Sequence, residues 1–179
     1  MKKLLILGGG TAGTMMANKL HKALDKARDN DDVRAVDITG AGKAFCAGQD
    51  LGEIVDPNGP ELPSIVKDHY NPTVERIRKL NKPVVAAVNG VAAGAGANIA
   101  LACDVVVASE GASFIQAFSK IGLIADSGGT YTLPRLIGLQ RASALMMLGD
   151  KVSAADALQM GMLYKVFPID TFVEESKKI

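Results

Sequence analysis

The 179-residue chain has no tryptophan, aromatic residues make up only 4% of it, and cysteine occurs twice, at Cys46 and Cys103. Two cysteines so far apart, with no Cys-x-x-Cys, argue against a zinc site and fit a reducing compartment, each serving as an apolar filler. No charge of one sign dominates, since 20 Lys and Arg stand against 19 Asp and Glu. No basic cluster interleaves with aromatics, so nothing points to nucleic acid, and any anionic ligand has to be met locally. Long hydrophobic runs are missing as well. Leu4-Leu5-Ile6-Leu7 after Met1-Lys2-Lys3 is too short for a secretory leader and passes at once into Gly8-Gly9-Gly10. Pro83 to Cys103 is uncharged and contains Gly90-x-x-x-Gly94, but Asn89-Gly90 interrupts it and Val84-Val85-Ala86-Ala87-Val88 has the branched residues of a buried strand. The expectation is a cytoplasmic protein without a membrane segment, of a length suited to one domain with a real core.

What is present alternates between strand and helix. Strands are expected at Leu4–Leu7, Val33–Thr39, Val84–Val88 and Val105–Ala108. Helices are expected at Ala17–Ala27, with Leu20, Ala23, Leu24 and Ala27 on one face, and at Ser64–Leu80, with Val66, Tyr70, Val74, Ile77 and Leu80 on one face and Pro72 as a kink or break. Further helices follow at Gly94–Ala102, Leu139–Leu148 and Ala154–Met160, the last two closed by Gly149 and Gly161, with Ser153 and Asp156 forming an N-terminal cap. Gly52–Pro63 reads as a loop over a site. His21 is expected on an exposed helix face and His69 beside that loop, neither with a Ser or Cys partner for nucleophilic catalysis.

Gly8-x-Gly10-x-x-Gly13 follows a strand, opens a helix, and is trailed by a second strand whose Asp37 stands where a dinucleotide fold places its ribose-binding acid. These first residues resemble the FAD- or NAD-binding start of a flavoprotein. The other reading is a glycine turn before a helix, and it is favoured because nothing after Asp37 continues as a second mononucleotide-binding half.

Two later segments carry more chemistry. Asn89-Gly90-Val91-Ala92-Ala93-Gly94-Ala95-Gly96-Ala97-Asn98 puts small residues where a strand hands over to a helix, so backbone N–H groups can face a developing negative charge. Ile121-Gly122-Leu123-Ile124-Ala125-Asp126-Ser127-Gly128-Gly129-Thr130 supplies a carboxylate. Preorganised donors and one carboxylate are the minimum equipment for moving a proton beside a carbonyl.

Thr39 to Leu51, with Phe45-Cys46-Ala47-Gly48-Gln49-Asp50-Leu51 at its end, then Lys82-Pro83-Val84-Val85-Ala86-Ala87-Val88-Asn89-Gly90, Gly94-Ala95-Gly96 and Asp104, follow one another in the order of the enoyl-CoA hydratase/isomerase superfamily, the crotonases. The resemblance runs from about Asp31 to Pro168. A finer resemblance, carried by the same Phe45–Leu51 segment together with Ala117-Phe118-Ser119-Lys120-Ile121-Gly122-Leu123-Ile124 and Asp126-Ser127-Gly128-Gly129-Thr130, is to the 1,2-epoxyphenylacetyl-CoA isomerase group.

The resemblance implies an α/β fold with a crotonase-like ββα superhelix core at 31–168, an atypical strand and helix at 1–30, and the start of a C-terminal helix at 169–179, all in one domain. It implies an acyl-CoA substrate, with CoA as part of the substrate and no separate cofactor or metal, and a homotrimer or hexamer. The thioester oxygen would sit between the backbone N–H groups of Gln49 and Ala95, and Asp126 would act as the acid/base. Ala47, Gly48, Gln49, Asp50, Leu51, Gly94, Ala95 and Phe118 would line the substrate site. A hydratase of this superfamily carries two glutamates, at positions that here hold Asn98 and Phe118, so simple hydration is disfavoured. The chain departs from the family in lacking the early Asn-Arg-Pro turn, in having Ala125 where relatives carry proline, and in stopping before the C-terminal helices. The activity the resemblance implies is acyl-CoA isomerisation, a double-bond shift or an epoxide ring opening through a thioester enolate. The rival readings are an FAD- or NAD-binding module built on Gly8, Gly10, Gly13 and Asp37, a non-catalytic hybrid scaffold, and, within the family, another crotonase activity such as hydration.

Overall fold

The computed structural model describes residues 2–8, 14–49 and 59–179, with the first stretch described in its backbone. Strand β1 (Lys2–Gly8) pairs in parallel with β2 (Val33–Gly40), and helix α1 (Thr14–Asp29) connects them. Ala17, Leu20, Leu24 and Ala27 of α1 are buried, the face expected from their three- and four-residue spacing. His21 is half-buried rather than exposed, because the neighbouring helix packs over it: its Nε2 lies 2.7 Å from Thr73 Oγ1 and 2.9 Å from the His69 carbonyl.

From β2 onward each turn of the chain contributes one strand to each of two sheets and then a helix. β2 leads to β3 (Ala44–Cys46), β4 (Val84–Val88) to β5 (Val91–Ala93), and β6 (Val105–Ser109) to β7 (Ser113–Ile115). Among the described residues, one sheet has the order β1-β2-β4-β6-β9 and is parallel throughout, with β9 at Lys165–Phe167. The other has the order β3-β5-β7-β8, with β8 (Lys151–Ser153) antiparallel to β7. This is the ββα superhelix. Its second strands have three residues each, too few for a hydrophobic period to announce them.

The helix expected at Ser64–Leu80 is three pieces: α2 (Leu62–Ile65), a π-helical turn (Val66–Tyr70) and α3 (Asn71–Lys79). Leu62 therefore belongs to a helix rather than to the Gly52–Pro63 loop, most of which lies outside the described residues. The Asn71 N–H bonds the Val66 carbonyl, five residues back, just before Pro72, which has no N–H to give. That widened turn shifts the buried line to Ile65, Tyr70, Thr73 and Ile77, while Val66 and Val74 are only partly buried.

Helix α4 (Ala95–Leu101) is buried at every residue, which explains its small side chains. A 3-10 turn (Ala117–Ile121) precedes α5 (Gly129–Ile137) and α6 (Leu139–Leu148). Helix α7 (Ala154–Met160) is capped by Ser153, whose side chain accepts from the Asp156 N–H at 3.1 Å, and α8 (Phe172–Ser176) lies within the 169–179 segment. Asp104 joins this frame together. One carboxylate oxygen accepts from the Val84 N–H at 2.9 Å and the other from Arg78 at 3.0 Å, which fixes the start of β4. No described helix is long and apolar enough to cross a membrane.

Candidate active site

The residues after β3 turn across the start of α4, and glycine makes that approach possible. A Cβ on Gly96 would lie 2.3 Å from the Cys46 carbonyl oxygen, far inside contact distance. Gly48 has φ +85°, and a Cβ there would stand 2.9 Å from the Ala93 carbonyl oxygen and 3.3 Å from the Ala95 nitrogen. The Gly48–Gln49 backbone and the Gly94–Ala95 backbone are thereby held side by side. The first intrahelical bond of α4 runs from the Asn98 N–H to the Gly94 carbonyl, 3.2 Å. Ala95, in the first turn, accordingly keeps an N–H with no intrahelical acceptor.

Both turns open on a cavity of about 290 Å³, lined also by Leu62, Phe118, Lys120, Leu123 and Asp126. Ala47, Gly48, Gln49, Gly94, Ala95, Phe118 and Asp126, all singled out from the sequence, line this one cavity. Asp50 and Leu51 lie outside the described residues. Leu62, Ala117, Lys120, Ile121 and Leu123 complete the wall and were not foreseen, because the four apolar ones look like ordinary core and a single lysine looks like ordinary surface. Gln49 is further fixed through its side chain. The buried Tyr70, on the π-helical turn, donates its hydroxyl to Gln49 Oε1 at 2.9 Å.

Asp126 opens a tight turn. Ser127 has φ +50° and Gly128 φ +75°, and the Gly129 N–H returns to the Asp126 carbonyl at 2.8 Å, the pattern of a type I′ turn. Ser127 is the only described non-glycine residue in the left-handed region, and its hydroxyl donates to Asp126 Oδ1 at 2.7 Å. Burial pushes the Asp126 carboxyl above the ordinary aspartate value, and the Ser127 hydrogen bond acts in the opposite direction. A carboxylate partly stripped of water in an apolar cavity is a stronger base than one on the surface.

Positions 98 and 118, which the sequence resemblance matches to a hydratase's two glutamates, hold no acid. Phe118 lines the cavity, its ring edge 3.8 Å from where a Gly94 Cβ would be. Asn98 is fully buried. It accepts from Gln116 Nε2 at 2.8 Å and donates to the Asp126 carbonyl at 2.9 Å.

The dinucleotide reading gains nothing. Gly10 and Gly13 lie outside the described residues, Gly8 ends β1, and Asp37 is buried in β2, lining a separate cavity with Thr39, Asn89 and Lys177. Among the described residues no three His, Cys, Asp or Glu side chains are grouped to hold a metal ion. Cys103 is buried and Cys46 partly so, and burial raises both thiols above their ordinary value. Arg34 and Lys43 are exposed.

A ββα superhelix that brings two glycine-shaped backbone turns onto one apolar cavity defines the crotonase class of fold. The family model described as "Enoyl-CoA hydratase/isomerase" matches residues 13–179, and the chain belongs to that family. The match begins after Gly8 and Gly10. The chain is 47% identical to the 1,2-epoxyphenylacetyl-CoA isomerase of Escherichia coli over 92% of its own length and 64% of that protein. It is 36% identical to the mitochondrial enoyl-CoA hydratase of Pongo abelii over 90% of its length and 54% of that protein. A crystal structure of an enoyl-CoA hydratase from Polaromonas sp. superposes with a TM-score of 0.88 at 34% identity, covering 98% of this chain and 71% of that one. The chain spans less than two thirds of the length of both curated relatives.

Proposed function

We propose that the site is an acyl-CoA isomerase site, in which one carboxylate moves a proton along the acyl group of a thioester. The observation that carries this reading is the composition of the cavity. Asp126 is the one carboxylate among its described lining residues, and the turns bearing the Gln49 and Ala95 N–H groups line the same space. The thioester oxygen is received by those two N–H groups. Asp126 takes a proton from carbon, the electron pair of that C–H bond moves into the conjugated system, and the negative charge comes to rest on the thioester oxygen as an enolate. The enolate then takes the proton back from Asp126 at a different carbon, and the double bond has moved. Each backbone donor contributes on the order of 2.7–4 kcal/mol to such a barrier. CoA enters as part of the substrate, and no separate cofactor takes part.

Asn98 and Phe118 support isomerisation over hydration, because neither can hold and deprotonate a water. The 47% identity to an epoxide isomerase supports a finer proposal, that an aryl epoxide thioester is among the substrates and that the same polarised site assists its ring opening to a larger oxygen heterocycle. Exposed apolar residues on α5 and α6, Tyr131, Leu139, Met147 and Leu148, support assembly into a homotrimer or hexamer.

The test is spectrophotometric. A β,γ-enoyl-CoA offered to the protein is expected to become the absorbing α,β-conjugated thioester, and an α,β-enoyl-CoA to keep its absorbance. Loss of conjugation by addition of water would make the site a hydratase.

A further inference from the structure

We propose that Asn98 is a positioning residue for the proton transfer, pinning the strained turn that carries Asp126 from behind the cavity. The proposal rests on the reading of Asp126 as the base. Its own observations are a hydrogen-bonded line of buried amides and a close contact. Gln116 Nε2 donates to Asn98 Oδ1 at 2.8 Å, and Asn98 Nδ2 donates to the Asp126 carbonyl at 2.9 Å. The orientation of the Asn98 amide follows from chemistry, because a carbonyl oxygen only accepts and must face the NH₂ end. Asn98 is wholly buried and Gln116 is 3% exposed, so water does not compete for these bonds.

The contact is at Gly129, where a Cβ would lie 2.2 Å from Asn98 Nδ2. The first residue of α5 is therefore packed directly on the Asn98 amide. Asn98 meets the Asp126 turn at both ends, by a hydrogen bond to its first residue and by packing against its last. That turn needs an external hold. Ser127, between them, has φ +50°, a conformation that costs energy in a residue with a Cβ and persists only where its surroundings impose it. Gln116 in turn immediately precedes the 3-10 turn that places Phe118 in the cavity, so one line of amides registers three segments of the site against α4.

The position of Asn98 is where a hydratase carries an acid that acts on water. Here the side chain at that place faces the backbone instead. Its role is to keep the Asp126 carboxylate aimed, and it never touches the substrate.

The experiment compares Asn98→Leu and Asn98→Asp with Asp126→Asn, using β,γ-enoyl-CoA turnover and the carboxyl ¹³C titration of Asp126. Both Asn98 variants are expected to lose about 10- to 100-fold in kcat, the scale of a misaimed group. KM should change little, and in Asn98→Leu the Asp126 titration should fall toward the ordinary aspartate range as water reaches the loosened turn. A role in stability alone would lower the melting temperature and leave kcat and the titration of the folded protein unchanged, which overturns the proposal. Full activity in Asp126→Asn would instead remove the reading beneath it. If Asn98→Leu fails to fold, Gln116→Met, which removes the donor to Asn98 and keeps the length, is expected to show a smaller loss of kcat in the same direction, and an unchanged kcat overturns the proposal.

Discussion

Ser127 donates its hydroxyl to Asp126 Oδ1 at 2.7 Å from a left-handed backbone, so the residue that strains the turn also holds the carboxylate it presents. Burial leaves Asp126 partly desolvated with its proton affinity raised, and the Ser127 hydrogen bond acts against that shift. A carboxyl whose folded value lies above its unfolded value binds its proton more tightly when folded. Its contribution to stability is then largest at low pH and is lost as pH rises from the unfolded value through the folded one.

Asp126→Asn is accordingly expected to be more stable than the unaltered protein at neutral pH, with the difference closing as pH falls below the ordinary aspartate range. Thermal melts of both proteins across that range check the sign. The rate of the unaltered protein should rise with pH through the elevated value of Asp126, Lys120 being the other ionisable group among the described lining residues of the cavity.

Gly96→Ala puts a carbon where the Cys46 carbonyl oxygen now lies. The β3 loop and the start of α4 must part, and the Gln49 and Ala95 N–H groups with them. The expected result is loss of turnover by about 10²–10³, the cost of one misplaced donor, together with roughly 1–3 kcal/mol of stability from overpacking. Steady-state kinetics and urea unfolding measure the two separately.

Tyr70→Phe removes one hydroxyl and leaves the ring in its buried place. The loss of the bond to Gln49 Oε1 should cost about 0.5–1.5 kcal/mol by urea unfolding. A fall in kcat beside it would mark the bond as a brace of the Gln49 loop.

The apolar residues exposed on α5 and α6 give a prediction about assembly. Sedimentation equilibrium should return a multiple of the 18.7 kDa chain mass, and replacing Met147 and Leu148 by Lys and Glu should reduce it to one chain. On a free surface such changes would stay within about 0.5 kcal/mol in stability and leave the mass unaltered.

The parts of this architecture that follow local rules are the parts legible in the sequence. Leu139–Leu148 and Ala154–Met160 end at Gly149 and Gly161, both in the left-handed region, as terminating glycines require. Val84–Val88 reads as a buried strand because it is a continuous branched and small run. The strands Ala44–Cys46, Val91–Ala93 and Ser113–Ile115 left no trace, since three residues cannot show alternation and their pairing partners are distant in sequence. Gly129–Ile137 contains Pro134 and starts on glycine, which hides a helix that tertiary packing imposes. At the site, the lining residues Ala47, Gly48, Gln49, Gly94, Ala95, Phe118 and Asp126 were legible through the family pattern, whereas Leu62, Ala117, Lys120, Ile121 and Leu123 were not. The roles of Tyr70, Gln116 and Asn98 were not, because each acts through a hydrogen bond to a segment far along the chain.

The most direct measurement is proton exchange in heavy water. A β,γ-enoyl-CoA or an arylacetyl-CoA is incubated with the unaltered protein and with Asp126→Asn, and NMR follows deuterium entering the carbon beside the thioester. The expected result is exchange with the unaltered protein and its loss in Asp126→Asn by about 10²–10⁴, the usual contribution of a positioned base, with acyl-CoA binding retained. Equal exchange by both proteins would contradict the assignment of Asp126 as the base.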